Sequence, residues 1–280
     1  MSLIDLHTHS TASDGSLSPA SLIDEAEKKG VSVLALTDHD SINGLKEASL
    51  AARQRGISFI PGIELEINNT GGQFHLLGLG LNQPSPAFIT AVIDIARRRE
   101  ERNLEIVKKM NEAGIALSYD EIKVEGKSVG RPHFAEYLTK HKIVKNREQA
   151  FKRYLGKGKP FYIPKTGLDF DEAVRLIHES GGIAVLAHPM SLYIAWGKLP
   201  AYIKTLKEKG LDGLEAWHPA AKVSSCKRLR DLGNKLDLCI TAGSDFHGES
   251  RPDRKLGITA GGKKIDETLI IDNNLLLGKF

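Results

Sequence analysis

Short apolar runs recur along this chain, and nearly every one ends in an imidazole or a carboxylate. Residues 3–7 lead into Asp5-Leu6-His7-Thr8-His9, with Asp14 in the loop that follows. Residues 31–37 end at Thr37-Asp38-His39-Asp40, and residues 57–64 at Gly62-Ile63-Glu64. A return run over residues 74–81 carries His75 and is entered through the turn chemistry of Asn68-Asn69-Thr70-Gly71-Gly72. Residues 183–187 end at His188, residues 213–216 at Trp217-His218, and residues 238–241 at Gly243-Ser244-Asp245-Phe246-His247. Random placement would scatter such residues over helices and exposed loops. A parallel α/β sheet gathers them instead, because its carboxyl-terminal strand ends form one rim, and active sites sit on that rim.

The intervening stretches read as helices. Ser18-Pro19 opens one that runs to about Lys29 and stops at Gly30; another spans residues 42–55 and is closed by Gly56. Repeated strand–helix units predict a mostly parallel sheet, open or closed into a barrel. From Pro86 to about Tyr154 the rhythm changes to charged, helix-patterned sequence without a convincing strand. The expected organisation is therefore a sheet domain over residues 1–83 and 165–280, with a helical insertion over residues 84–164 lying across one end of it.

His7 and His9 share one face of their strand, since side chains alternate along it. Two imidazoles so placed can grip a divalent ion, and an isolated pair reads equally well as two core or surface histidines. Shared occupancy of one rim favours a metal site. Imidazole mixed with carboxylate suits Mn²⁺, Zn²⁺ or Fe²⁺ and argues against Ca²⁺; Mn²⁺ is the expected ion, with Zn²⁺, Fe²⁺ or Mg²⁺ as alternatives. Cys226 and Cys239 stand apart, so neither a disulfide framework nor a cysteine zinc site is expected. Asp5 shares the face of His7 and His9 and joins Asp38 and Asp40 as carboxylates that could accept from the far nitrogens of ligand histidines. Asp38 and Asp40 could equally cap the loop before the second helix.

The first residues lack a signal-peptide pattern, and no apolar run reaches membrane-spanning length, so a cytoplasmic setting is expected. Charge is uneven. Lys140, Lys142, Lys145, Arg147, Lys152, Arg153, Lys157 and Lys159 face Glu148 alone, which is either a polyanion-attracting surface or a solvated helix face.

The succession His7-Thr8-His9, Thr37-Asp38-His39, Gly62-Ile63-Glu64, His75, Ala187-His188-Pro189 and Ser244-Asp245-Phe246-His247 resembles the PHP (polymerase and histidinol phosphatase) superfamily, from Ile4 to Gly257. The resemblance implies a distorted (β/α)7 barrel with a helical insertion and a divalent metal cluster, usually of three ions, at the rim. Its ligand set would be His7, His9, Asp14, His39, Glu64, His75, His188, Asp245 and His247. By the same resemblance, His7, His9, Glu64 and Asp245 would hold the first ion, and Asp14, His39 and His247 the second. Glu64 would bridge to a third, completed by His75 and His188.

The reaction implied is hydrolysis of a phosphate ester by in-line attack of a hydroxide bridging the metals, with Asp14 and Asp245 acting at the ions. His218 is the candidate for protonating the leaving oxygen, or a structural histidine before Pro219. Arg131 and His133 in Gly130-Arg131-Pro132-His133, with Lys165, resemble phosphate-binding segments of relatives acting on nucleotides; Arg131-Pro132 is also a plain helix start. Trp217 or Tyr162 could stack on a base or belong to the core, and His141 and His178 have no expected role.

The resemblance is to a stand-alone branch that converts 3′,5′-nucleoside bisphosphates to 5′-nucleotides, or acts as 5′-3′ exoribonuclease on short 5′-phosphorylated RNA. A histidinol phosphate phosphatase and a non-catalytic metal-binding module are further alternatives. The expected partner is a phosphorylated nucleotide or RNA 5′ end, with no membrane and no obligate protein partner. The tail after Gly257, with Asp272-Asn273-Asn274, reads as a final strand and helix or an oligomer contact.

Overall fold

A computed structural model describes residues 3–69, 71–123, 129–164 and 167–270. It divides into two compact units, Met1–Val92 with Gly167–Phe280, and Ile93–Thr166.

The first unit opens with β1 (Leu3–Asp5), α1 (Pro19–Lys29), β2 (Val31–Leu36), α2 (Leu45–Arg55), β3 (Ser58–Glu66) and β4 (His75–Leu79). Ser18 caps α1 by accepting the Ser21 amide, Pro19 takes the first turn, and Gly30 ends the helix at φ 73°, as the sequence predicts. The second helix begins later than expected. Ile42–Gly44 form a turn, because Gly44 packs under Pro19, Leu36 and Ala12 where a Cβ would be crowded.

The chain then runs through α3 (Pro86–Glu112), α4 (Arg131–Lys140) and α5 (Arg147–Ala150), the last continued by a π-turn over Phe151–Leu155. It returns to the first unit with α6 (Phe170–Glu179), β5 (Ile183–Leu186), α7 (Leu199–Glu208), β6 (Gly213–Trp217), α8 (Val223–Lys235) and β7 (Cys239–Ala242). A short hairpin of β8 (Ile258–Thr259) and β9 (Lys263–Lys264) follows the expected end of the resemblance; residues 271–280, which include the Asp272-Asn273-Asn274 stretch, lie outside the described residues. None of the described helices is long and apolar enough to cross a membrane.

The strands form one sheet in the order β1-β2-β3-β4-β5-β6-β7. All neighbours are parallel except where β4 pairs with β3 and β5, both antiparallel. The segment after β1 reaches the segment after β7: Leu6 donates to Ala242 at 3.2 Å, Asp245 to the His7 carbonyl at 2.9 Å, and His9 to Phe246 at 2.9 Å. These bonds nearly close the sheet into a barrel. The reversal of β4 decides where His75 lies. It stands first in its strand, paired with Glu66, so it occupies the same rim as the carboxyl ends of the parallel strands.

Leu22, Ile23 and Ala26 of α1 pack with Val31, Leu34 and Leu36 of β2 and with Ala48 and Ala52 of α2. Each fully buried Leu or Ile side chain among them contributes about 1.5–3 kcal/mol relative to exposure. The second unit has its own core, built on Ile106, Met110, Phe134, Leu138, Leu155 and Phe161. Among its described residues no strand occurs.

Candidate metal centre

Each rim side chain is positioned by backbone pairing beyond the formal strand ends. Thr37 donates to the Thr8 carbonyl at 2.9 Å, and His39 bridges in parallel to Glu64. Two of the rim residues sit in the left-handed region, His188 at φ 27° and Asp245 at φ 53°. Non-glycine residues hold such angles only where neighbours over-determine them. The His188 amide donates to Glu215 Oε2 at 2.6 Å, and the Asp245 amide donates to the His7 carbonyl.

The nine imidazoles and carboxylates expected to act together do lie together. Glu64 is at the centre. Its Oε1 lies 2.7 Å from His75 Nδ1 and 2.8 Å from His188 Nε2. Its Oε2 lies 2.9 Å from His39 Nδ1 and 3.4 Å from the Nε2 atoms of both His7 and His9. Asp245 Oδ1 faces His9 Nε2 at 3.4 Å and His7 Nε2 at 3.7 Å. Asp14 Oδ1 lies 3.2 Å from His247 Nε2 and 4.0 Å from His9 Nδ1.

Three groups have ligand atoms within 4.8 Å of one another: His9, Asp14, His39 and His247; His7, His9 and Asp245; and His39, Glu64 and His75. His7 and His9 bring their Nε2 atoms to 3.1 Å, and His75 Nδ1 approaches His188 Nε2 at 3.2 Å. Two ligand nitrogens on one tetrahedral ion stand about 3.3 Å apart when each metal–nitrogen bond is 2.0–2.1 Å. His9 Nδ1 is buried with no hydrogen-bond partner, a cost that a cation beside it would remove. The donor set therefore fits divalent metal.

The far nitrogens fix the tautomers. His7 Nδ1 donates to Glu215 Oε1 at 2.9 Å, and His247 Nδ1 to the Asp245 carbonyl at 2.8 Å, which turns Nε2 of each ring toward the cluster as the nitrogen a metal would take in place of a proton. Ser191 Oγ donates to the Gln73 carbonyl and accepts from His188 Nδ1 at 2.7 Å, with the same result. His75 is reversed: Nε2 faces Glu66 Oε2 at 3.1 Å and Nδ1 faces the cluster.

Charge in the cluster is strongly coupled. Burial and then the neighbouring His247 charge push His9 down to about 3, so its ring stays neutral. Burial also works against a charged His75, but the Glu64 and Glu66 carboxylates prevail and raise it to about 10. Burial would raise Glu64, yet the His39, His75 and His7 charges hold it well below the usual carboxylate range. Ionised carboxylates buried this deeply require cations around them, and protons and metal ions compete for that place.

His218 joins the cluster. The Ala220 amide donates to its Nδ1 at 3.2 Å, and its Nε2 faces Asp245 Oδ2 at 3.2 Å. Asp5 accepts the His7 backbone amide at 3.4 Å but, among the described residues, no ring nitrogen of the histidines. Its oxygens accept the Ser244 and Gly257 amides at 2.9 and 2.8 Å, because Glu215 already occupies the far nitrogen of His7. Asp38 instead holds the loop after β1, accepting from Ser10 and Ser13, and Asp40 accepts the Glu66 amide at 2.9 Å. Trp217 is a core residue.

Arg131 and His133 lie in the second unit. Arg131 donates to the Leu155 carbonyl at 3.4 Å and sits over the rings of Phe151 and Tyr162. His133 Nδ1 accepts the Gly130 amide at 3.0 Å, which caps α4. His141 stacks on Tyr137, and His178 pairs with Asp212. Lys165 lies outside the described residues.

Sequence reasoning missed Glu215, Glu66, Arg251 and Arg254. The lone carboxylate of Gly213-Leu214-Glu215-Ala216-Trp217, inside a strand buried throughout, was the available signal, since a buried charge demands a partner.

The profile of the PHP domain family matches residues 5–163. A 5′-3′ exoribonuclease of Haemophilus influenzae is 39% identical over 244 residues, spanning 87% of this chain and 89% of that protein. A 3′,5′-nucleoside bisphosphate phosphatase of Chromobacterium violaceum is 33% identical over 262 residues, spanning 92% of each. Among solved structures, an amidohydrolase from Chromobacterium violaceum with bound sulfate and no metal superposes with a TM-score of 0.86 at 30% identity, over 98% of this chain and 96% of that one. The chain belongs to the PHP domain family, as a metal-dependent hydrolase of phosphate esters.

Proposed function

We propose that the chain hydrolyses the 3′-phosphate ester of a 3′,5′-nucleoside bisphosphate, leaving a 5′-nucleotide and inorganic phosphate. The observation that carries this reading is the convergence of six imidazoles on the carboxylates of Glu64, Asp245 and Asp14 at one barrel rim. The phosphatase relative supports the substrate class.

His7, His9, Glu64 and Asp245 would hold one ion, Asp14, His39 and His247 a second, and His75 and His188 a third shared with Glu64. Mn²⁺ is the proposed metal, three ions per chain. Bound divalent ions supply there a Lewis acid for the phosphoryl oxygens and a water acidic enough to attack near neutral pH. His218 would act as an imidazolium, giving the Nε2 proton that faces Asp245 Oδ2 at 3.2 Å to the leaving oxygen and being left a neutral imidazole. Asp245 orients it. The proposed setting is the cytoplasm, in keeping with two buried free thiols, Cys226 and Cys239.

A second reading, removal of nucleotides from a 5′-phosphorylated RNA, is favoured by the exoribonuclease relative and by a feature of the second unit. There Lys142, Lys145 and Arg153 line an open hollow of about 530 Å³ with Thr139, Ile143, Val144 and Gln149, and no carboxylate among the described residues lines it. Such a surface suits a phosphodiester backbone.

The test is product analysis by mass spectrometry. Manganese-loaded protein would be offered adenosine 3′,5′-bisphosphate and a 5′-phosphorylated RNA oligomer in parallel, beside an Asp14→Ala/His247→Ala control. AMP from the bisphosphate, absent in the control, is the expected result. Stepwise nucleotide release from the oligomer with the bisphosphate untouched would replace the first reading with the second.

A further inference from the structure

Asp245 has two different sides. Its Oδ1 faces the imidazoles of His7, His9 and His247, at 3.7, 3.4 and 3.5 Å. Its Oδ2 faces a set of donors: His218 Nε2 at 3.2 Å, Arg251 Nη1 at 3.3 Å and Arg254 Nε at 3.6 Å. One carboxylate oxygen has two lone pairs, so three donors exceed what it can accept. Asp245 is at the same time committed to the cluster on its other side.

The two arginines differ in a way that divides their roles. Arg254 is 8% exposed, and among the described residues its Nε is buried without a hydrogen-bond partner; besides Asp245 it faces the Asp253 carboxylate at 3.5 Å. The Arg251 side chain is 38% exposed and commits one N–H to Asp245. Arg251 follows the short turn Gly248–Ser250, and the Arg254 amide donates back to the Arg251 carbonyl at 3.0 Å, so both guanidiniums are presented by one tight segment. The remaining N–H groups of a half-exposed guanidinium form a fork suited to two oxygens of a tetrahedral anion.

We infer that Arg251, backed by the buried charge of Arg254, forms a phosphate-binding subsite on the barrel rim, which takes the phosphoryl group under attack. It completes the site from the barrel's own residues. The subsite rests on the phosphoesterase reading for the identity of its anion, and on the Asp245 geometry for its existence.

The test uses the full chain loaded with Mn²⁺ and inorganic phosphate as the probe, with binding followed by calorimetry and metal content by elemental analysis. Arg251→Ala is expected to weaken phosphate binding tenfold or more, the scale of one charge-assisted hydrogen bond, with manganese content unchanged. Arg251→Lys is expected to recover part of the loss, since it restores the charge without the fork. Unchanged phosphate affinity in Arg251→Ala, or no phosphate binding by the unaltered chain, would overturn the subsite. So would a parallel loss of manganese, which would make Arg251 a support for Asp245 alone. If phosphate binding depends on Arg251 while no nucleotide is hydrolysed, the subsite stands and the nucleotide reading fails.

Discussion

Glu215 Oε1 accepts the Nδ1 proton of His7 at 2.9 Å, from a residue 208 positions away in the chain. The same carboxylate holds the backbone of His188 through its second oxygen. One buried side chain on β6 therefore orients the His7 imidazole and holds the backbone of His188. Burial would raise its pKa, but the His7 and His218 charges lower it, so it serves as an anion.

Glu215→Gln keeps the shape and removes the charge, while Glu215→Ala removes both. Metal affinity, read by competition with a chromogenic chelator, is expected to fall about tenfold in the first and toward a hundredfold in the second. Equal affinity in all three proteins would show that His7 needs no orienting partner.

Gly243 offers a test that replaces no ligand. A Cβ there would overlap His7 Cβ and come within 2.7 Å of Glu215 Oε1. Gly243→Ala must therefore displace the His7–Glu215 pair. The expected outcome is a loss of about 1–3 kcal/mol in chemical denaturation together with weaker metal binding. A stability loss with full metal affinity would mean that the barrel yields elsewhere and His7 stays in place.

Metal should stabilise the fold, since the ligand cluster ties six strands and their extensions together. At about a hundredfold excess over its dissociation constant, one bound ion adds about 2.7 kcal/mol. For a chain of this size that is a rise in Tm of about 5–10 °C on adding Mn²⁺, reversed by chelator. The Asp14→Ala/His247→Ala protein should shift less. Indifference of the unaltered chain to both manganese and chelator would contradict a metal cluster that bridges the rim.

How much of this was readable beforehand varies by residue. The ligand-type residues were legible because strand parity and strand-end position are local properties; His7-Thr8-His9 and Ser244-Asp245-Phe246-His247 carry them within a few residues. His75 was legible as part of a return strand, and the reversed direction of β4 is what brings it to the rim. Asp5 was assigned to the wrong partners. Parity placed it on the right face, but only the pairing of the segments after β1 and β7 shows that Ser244 and Gly257 amides claim its oxygens. Arg251 and Arg254 carry no local signal, since a charged turn is ordinary and their contact with Asp245 arises from the tertiary fold. The start of α2 was misplaced by three residues because Ile42 is apolar, whereas the close packing under Gly44 sets the boundary.

The most direct measurement is anomalous diffraction from crystals of the manganese-loaded chain. The expected result is strong peaks inside the rim cluster, each about 2.0–2.3 Å from nitrogen or oxygen atoms of His7, His9, Asp14, His39, Glu64, His75, His188, Asp245 and His247. Peaks confined to other side chains, or none at the rim under saturating manganese, would contradict the metal centre and the phosphoester chemistry built on it.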